Sequence, residues 1–137
     1  MILDTNVLSA LMLREADQKV VTWLDGQPSE SVWTTSVTVF EIGFGIETLE
    51  DGRRRRLEDV FSKVLEEDFD GRVLPFDQGA AMAAAMIAAQ QRRTGRPVEI
   101  RDVQIAGIAS ARKASLATRN TRHFQGLGIS LVDPWKA

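Results

Sequence analysis

Short apolar runs alternate along this chain with longer amphipathic stretches. The short runs lie at residues 2–4, 32–35, 73–76, 116–119 and 129–132, and their apolar and β-branched content is typical of buried parallel strands. Helical spacing of apolar residues is found over residues 17–25, 37–49, 53–67, 78–93 and 102–114. Strands that alternate with helices predict right-handed crossovers. We therefore expect an α/β domain with a mainly parallel five-stranded sheet and helices on both faces.

Local signals refine the helix boundaries. Ser36 is a favoured residue type for an N-cap and is expected to start the second helix. Asp51 and Gly52 predict a turn between the second and third helices. Arginines occupy positions 53–56 at the start of the third helix, the end of a helix dipole that disfavours cations. This run is either a solvated surface or a phosphate contact.

The fourth helix is rich in alanine, which permits the close approach of another helix. Met82 and Met86 lie one helical turn apart in this segment. Their spacing is interpreted as a core or dimer contact and not as a cofactor site.

Composition narrows the class of protein further. A chain of 137 residues with 44% hydrophobic and 26% charged residues predicts one soluble domain over residues 1–137. The chain has no cysteine, which excludes disulfides, thiolate zinc sites and cysteine nucleophiles. It also has no apolar stretch near the roughly 20 residues that span a bilayer and no signal-peptide pattern. A cytoplasmic protein without a membrane partner is expected.

The net charge of −2 hides an uneven distribution. Nine basic and three acidic residues follow position 90, a local charge of +6, so the first 90 residues carry −8. A basic segment beside an acidic one suits an enzyme that binds a polyanion and cleaves it with metal ions. Solvated surface charge is an equally good explanation of the charge pattern alone.

Three acids stand where apolar or strand-end residues are expected. Asp4 follows the first strand directly, Glu41 lies among Val39, Phe40 and Ile42 in a helix, and Asp102 begins the last long helix. Each has an ordinary structural alternative, since Asp is a common N-cap, a helical Glu can pair with a cation, and the helix dipole favours an N-terminal carboxylate. Carboxylates placed among core residues usually need a partner or a metal.

Asn120 follows the fourth strand and is either a turn residue or a fourth member of the same group. The carboxyl ends of parallel strands and the helix starts that follow them meet at one edge of a sheet. Asp4, Glu41, Asp102 and Asn120 are therefore expected to converge there. Oxygen donors without cysteine select hard cations such as Mg²⁺ or Mn²⁺.

Five segments resemble those of the PIN domain family, and in particular the VapC-type ribonuclease toxins of toxin–antitoxin pairs. They are MILDTN at residues 1–6, TSVTVFEIG at 35–43, VLPFD at 73–77, DVQIA at 102–106 and LATRNTRHF at 116–124. The resemblance covers essentially the whole chain. The ending VDPW at residues 132–135 is similar to the plasmid-stability branch of the family.

The resemblance implies an endoribonuclease that needs Mg²⁺ or Mn²⁺ to hydrolyse RNA phosphodiester bonds. Asp4 and Asp102 would be the principal metal ligands, with Glu41 and Asn120 completing the catalytic pocket. Thr5, Asn6 and Thr118 would orient carboxylates or water around the metal. The arginines that would bind the RNA backbone are Arg92, Arg93, Arg96, Arg101, Arg119 and Arg122. It also implies a homodimer that is inhibited by a small antitoxin protein, which passes a peptide over the acidic site.

One position departs from the family pattern. Many PIN domains have an aspartate where this chain has Asn120, and some relatives have an acid where His123 stands. An amide oxygen binds a cation without contributing charge, so we expect one tightly held ion and a second that arrives with the substrate phosphate. His123 is expected to be structural or on the surface.

Other classes fit less well. A haloacid-dehalogenase-type phosphotransferase needs an acid at the position of Asn6, a receiver domain needs paired acids near the first strand, and a dinucleotide-binding domain needs a glycine-rich turn after it. The remaining alternative is a PIN-fold module that binds RNA or a protein without cleaving it, which the neutral Asn120 would favour.

Overall fold

The computed structural model describes residues 1–137 and contains the expected parallel sheet. Its five short strands are β1 (Ile2–Leu3), β2 (Thr34–Thr35), β3 (Val73–Leu74), β4 (Leu116–Ala117) and β5 (Leu131–Val132). β4 lies between β1 and β5, and β2 pairs with β3, all in parallel. A bridge from Ile2 to Trp33 joins the two groups, so the order across the sheet is β3-β2-β1-β4-β5. The predicted five-stranded α/β fold is confirmed.

Seven α-helices connect and cover these strands. They are α1 (Thr5–Leu11), α2 (Gln18–Asp25), α3 (Ser36–Glu47), α4 (Asp51–Lys63), α5 (Gln78–Arg93), α6 (Ile100–Arg112) and α7 (Thr121–Phe124). A π-helical turn, Val64–Asp68, continues α4, and a 3₁₀ turn spans Ser29–Ser31. The five longest helices follow the predicted pattern. α1 and α7 were not predicted because each is too short to show a helical repeat. No helix has the length and apolar character needed to cross a membrane.

Two local predictions about α3 and α4 are wrong. The N-cap of α3 is Thr35, whose Oγ1 accepts the backbone N–H of Thr38 at 3.1 Å. Ser36 is the first helical residue, and its Oγ instead accepts the N–H of Phe76 at 3.0 Å. Asp51 and Gly52 lie in the first turn of α4 rather than between helices. The chain reverses at residues 48–50, just before them.

The start of α6 also differs from the sequence prediction, by two residues. α6 begins at Ile100 because the Glu99 carboxylate accepts the backbone N–H groups of Arg101 and Asp102, at 2.9 and 3.3 Å. Asp102 therefore lies inside the first turn and is not the cap. A side chain one residue before the helix, not the predicted aspartate, satisfies its free amides.

Two apolar cores lie on opposite faces of the sheet. Leu3 and Ala117 point into a core completed by α1, α2, α3 and α4, while Ile2 and Leu116 point into one completed by α5 and α6. Alternate residues of each strand thus serve opposite faces, as the pleat requires. Because helices cover both faces of the sheet, the polar side chains lie at the edge formed by the carboxyl ends of β1 and β4.

The alanine-rich helix α5 packs closely on α6, as the sequence predicts. Gly107 of α6 lies so near α5 that a Cβ built on it would be 2.6 Å from both the carbonyl oxygen of Ala80 and the Cβ of Ala84. Met82 and Met86 lie on the other side of α5 and are 62% and 72% exposed. The core alternative for these methionines is therefore wrong.

Candidate active site

Asp4 lies at the carboxyl end of β1 and is 4% exposed. Its Oδ1 accepts the backbone N–H of Thr5 at 2.8 Å, so Asp4 is the N-cap of α1. Its Oδ2 accepts the hydroxyl of Thr118 at 2.8 Å and the amide of Asn6 at 3.1 Å. Three donors from two elements thus hold this carboxylate in one orientation.

Asn6 and Thr118 also bind each other and the segment after β4. The Asn6 amide nitrogen is 3.3 Å from Thr118 Oγ1, and its Oδ1 accepts the backbone N–H of Arg119 at 3.0 Å. Thr118 Oγ1 in turn accepts the N–H of Asn120 at 3.0 Å. These contacts fix the start of α1 against the end of β4. The structure thus brings Thr5, Asn6 and Thr118 into direct contact with Asp4.

Glu41 reaches the same edge from α3. Its Oε1 accepts the hydroxyl of Thr5 at 2.8 Å, and that hydroxyl also lies 3.0 Å from Thr38 Oγ1. Its Oε2 is 3.7 Å from Nη1 of Arg101, and the side chain is 22% exposed. Thr5 therefore connects Asp4, through its backbone, with Glu41, through its hydroxyl.

Asp102 faces this edge from the first turn of α6. Its Oδ2 is 3.3 Å from Nδ1 of His123, and the side chain is 21% exposed. His123, which was expected to be structural or on the surface, is exposed but contacts a candidate ligand. The sequence signal was its position, three residues after Asn120 in a segment that already carried the resemblance.

The electrostatics of Asp4 and Asp102 reflect their burial and their mutual repulsion. Burial raises the pKa of Asp4, and the hydrogen bonds from Thr118, Thr5 and Asn6 oppose that effect. Burial also raises the pKa of Asp102, and the negative charge of Asp4 raises it further. The positive charge of His123 lowers the pKa of Asp102, whereas the negative charges of Glu99 and Glu41 raise it. The negative charges therefore interact across three elements.

Asp4 and Asp102 fit a hard cation by their chemistry, although the protein does not form a complete cage for one. Within residues 1–137, no three His, Asp or Glu side chains are placed to hold a metal ion together. Mg²⁺ usually keeps several waters and binds one or two carboxylates together with substrate phosphates. Asp4 and Asp102 provide two such carboxylates. Their negative charges repel each other, and a bound cation would relieve that repulsion.

Asn120 contributes differently from the acids. It stands before α7, and its backbone N–H is bound to Thr118, but its side chain does not cap the helix. The residue is exposed. The structure therefore places Asn120 beside the network of Asp4 without binding its amide to any carboxylate.

The six candidate RNA-binding arginines fall into distinct environments. Arg101 pairs with Glu41 and with Glu99, whose Oε1 is 3.2 Å from Nε. The guanidinium of Arg119 lies 4.7 Å from the centre of the Trp135 ring. Arg96 and Arg122 line a cavity that also contains Asp102. Arg92 and Arg93 lie in the exposed last turn of α5, outside this cavity.

A groove of about 460 Å³ lies beside Glu41, between α1, α3 and α4. Its floor is apolar, with Ile42, Ile46 and Leu57 among the lining residues. Arginines line it as well, namely Arg14, Arg53 and Arg56. Two members of the four-arginine run thus face this groove. A third member, Arg54, pairs with Asp51 at 2.9 Å.

This fold and this edge of acids define a PIN domain, and residues 1–128 match the family model described as PIN domain. The chain belongs to the PIN domain family. It is 36% identical to VapC ribonuclease Y4jK of Sinorhizobium fredii, over 98% of this chain and 97% of that protein. It is 37% identical to the plasmid stability protein StbB of Pseudomonas syringae pv. tomato, over 99% of each. The resemblance to VapC-type toxins and to their plasmid-stability branch is confirmed.

A solved structure gives the same relationship in three dimensions. A chain in the DNA-bound VapBC structure from Salmonella typhimurium superposes with a TM-score of 0.79 at 28% identity, covering 97% of this chain and 96% of that one. Coverage of 97% of this chain carries the similarity beyond residue 128, where the match to the family model ends.

Proposed function

We propose that this chain is the endoribonuclease toxin of a VapBC-type toxin–antitoxin pair and that it uses Mg²⁺ or Mn²⁺ to hydrolyse RNA phosphodiester bonds. The observation that carries the proposal is the convergence of Asp4, Glu41 and Asp102, from β1, α3 and α6, at one edge of the sheet. Its relatives support the same activity, since the 36% identical protein is named a VapC ribonuclease.

Asp4 and Asp102 would hold the cation. When bound, it would lower the pKa of a water molecule and stabilise negative charge at phosphorus. Thr118, Asn6 and Thr5 hold the carboxylate of Asp4 in place, so the ligand does not have to be ordered when substrate binds. Thr5 also holds Glu41, which faces the same edge and can accept a proton from water or orient it.

Asn120 and the free arginines would complete the site. The amide of Asn120 can offer an oxygen to a cation or a hydrogen bond to substrate, but it adds no negative charge. A second cation would therefore bind more weakly and with the substrate phosphate. Arg96 and Arg122, next to Asp102, would contact the RNA backbone.

A homodimer and an antitoxin are the proposed protein partners. Phe40 and Phe44 of α3 stack with ring centres 6.1 Å apart, although each is 60% exposed. With Met82 and Met86 of α5 they are large apolar side chains left uncovered in one chain, which suits contact with a second copy. The groove beside Glu41, with an apolar floor and arginines, suits an amphipathic antitoxin segment that carries acidic residues.

The activity is tested with purified protein, free of antitoxin, on end-labelled RNA in Mg²⁺, in Mn²⁺ and in chelator. We expect cleavage only with a cation, and loss of about 10³-fold or more in Asp4→Asn and in Asp102→Asn. Asp59→Asn is the matched control, because Asp59 is an exposed residue of α4 away from the site. Equal cleavage by the wild type and both site variants would show that the activity is a contaminant.

A binding module without nuclease activity is the second candidate. It is favoured by the neutral side chain of Asn120 and by the lack of three side chains placed to hold a metal together. The same preparations distinguish it from the nuclease. RNA that is shifted in a gel by the wild type in Mg²⁺ and Mn²⁺, yet recovered intact, would favour binding alone.

A further inference from the structure

A cavity of about 390 Å³ opens beside Asp102, and Glu41 is not among its lining residues. It is formed by the end of α5, the segment before α6 and the region of α7. Apart from Pro97 and Val98 its lining is polar. Its volume lies in the range of small-molecule sites, and its border on Asp102 makes it continuous with the proposed catalytic centre.

Gln91 is the buried polar residue of this cavity. It is 8% exposed, yet its side-chain amide makes no hydrogen bond within the protein. Its backbone carbonyl is already occupied, accepting the N–H of Arg96 at 2.8 Å and the hydroxyl of Thr94 at 3.0 Å. Thr34 Oγ1 is the one buried side-chain oxygen or nitrogen without a partner, so the amide of Gln91 is reached by solvent where the residue lines the cavity. Its donor hydrogens and its acceptor are therefore open to a ligand that enters the cavity.

Two cations of the cavity are likewise unpaired. The guanidinium groups of Arg96 and Arg122 form no ion pair, whereas Arg101, just outside, is held by Glu41 and Glu99. Glu99 also lines the cavity, but its carboxylate accepts the backbone N–H groups of α6. The cavity therefore presents free positive charge beside a free amide, a combination that suits a phosphate joined to a hydrogen-bonding group.

We propose that this cavity binds one unpaired nucleotide of the RNA substrate, next to the phosphate that is cleaved. Gln91 hydrogen-bonds the edge of the base, and Arg96 and Arg122 bind its phosphate. An amide offers one acceptor and two donor hydrogens, and proteins read RNA sequence mainly on unpaired bases that are turned out of a stack. Gln91 is then a specificity-determining residue. This inference rests on the proposed ribonuclease function.

The first experiment measures binding, so that it does not depend on cleavage. Four 2′-O-methyl octamers, of A, C, G and U, are titrated by fluorescence anisotropy in chelator. We expect wild type to prefer one octamer by about tenfold and Gln91→Met, which keeps the length of the side chain, to reduce the preference to about twofold or less. Gln90→Met is the matched control, because Gln90 is exposed and lines a different pocket with Met82 and Met86. It should keep the wild-type preference.

The arginine variants separate the phosphate contact from the base contact. Arg96→Gln and Arg122→Gln should weaken all four octamers to a similar extent and lower the salt dependence of binding. Thermal unfolding checks that each variant is folded. If Gln91→Met is not folded, Gln91→Glu, which removes the donor hydrogens, provides the same test of preference.

Four outcomes decide the inference. An unchanged base preference in both Gln91 variants overturns the inference. It is also overturned if the wild type binds the four octamers equally and inorganic phosphate or an acidic peptide displaces them. Sequencing of the cleavage sites in a random RNA pool should show relaxed preference at one position for Gln91→Met. Base-dependent binding without any cleavage would support the nucleotide site while refuting the nuclease, so the two failures can be told apart.

Discussion

Thr118, directly after strand β4, donates a 2.8 Å hydrogen bond to Oδ2 of Asp4, directly after strand β1. Thr118 is fully buried and also receives the backbone N–H of Asn120. Its hydroxyl therefore orients the acid that we propose as a metal ligand and the segment that carries the amide. It also lowers the pKa of Asp4, against the larger effect of burial.

Thr118→Val is predicted to reduce RNA cleavage by about 10- to 100-fold, the usual effect of losing a group that orients a ligand. It should also shift the acid limb of the pH–rate profile to higher pH. Without this hydrogen bond, the effect of burial on the pKa of Asp4 is less opposed, so the pKa rises further. Asp4 is then protonated at a higher pH. Steady-state rates from about pH 5 to 9 measure both effects. Thr118→Ser, which keeps the hydroxyl, is the control, and a valine variant with the wild-type profile would contradict the role.

Asp102→Asn is predicted to raise the melting temperature of the metal-free protein at neutral pH. The pKa of Asp102 is raised in the fold, so the native state holds its proton to higher pH than the unfolded chain does. The free energy of unfolding therefore falls as pH rises from the ordinary value of 3.8 through the raised pKa. The advantage of the variant should disappear at about pH 4. A variant that is no more stable than wild type at neutral pH would contradict the assignment of the pKa direction.

Mg²⁺ or Mn²⁺ is predicted to stabilise the wild type. With the cation present, the wild type should therefore melt at a higher temperature than Asp102→Asn. A ligand that binds only the native state adds stability that grows with its concentration, about 2.7 kcal/mol at one hundred times Kd. Melting in chelator, in the divalent salt and in NaCl of equal ionic strength measures the effect. Asp4→Asn and Asp102→Asn should show little response. An equal response in all three proteins would mean that the cation binds elsewhere.

The fold could be predicted from the sequence to the extent that its elements are long or periodic. α4 and α5 show their repeats over three or more turns, and the apolar runs mark the strands. α7, of four residues, has no repeat to detect. The cap of α3 was assigned to Ser36 and not Thr35 because either hydroxyl suits an N-cap, and only the contact of Ser36 with Phe76 distinguishes them.

The candidate site was predictable where strand order determines position. Asp4 and Thr118 follow adjacent parallel strands, so their convergence follows from topology. The pairing of Asp102 with His123 does not follow from the strand topology, because it depends on the path of the short helix α7. The environment of Gln91 was also hidden, since a glutamine near the end of a helix gives no sign that its side chain is buried.

Thr34→Val is predicted to stabilise the protein by about 1 kcal/mol. Thr34 is fully buried in β2, and its Oγ1 has no hydrogen-bond partner, so the hydroxyl is desolvated without compensation. Thr35→Val, the same change at the next buried residue, should cost about 1 kcal/mol because it removes the N-cap of α3. Chemical denaturation measures the free energy of unfolding, which should rise in Thr34→Val and fall in Thr35→Val. A loss of stability in Thr34→Val would indicate that its hydroxyl is hydrogen-bonded in solution.

Gly107→Ala is predicted to destabilise the protein by about 3 kcal/mol. The new Cβ would lie 2.6 Å from the carbonyl oxygen of Ala80 and from the Cβ of Ala84, so α5 and α6 would have to separate. Gly43→Ala is the matched control, because a Cβ at this position in α3 meets nothing within 4 Å. The control should gain about 0.5–1 kcal/mol from helix propensity. Denaturant unfolding compares the stability of the Gly107→Ala and Gly43→Ala variants. Because α6 carries Asp102 and α5 carries Gln91, Gly107→Ala should also weaken RNA binding. A gain of stability at Gly107 similar to that at Gly43 would show that the two helices are less closely packed in solution.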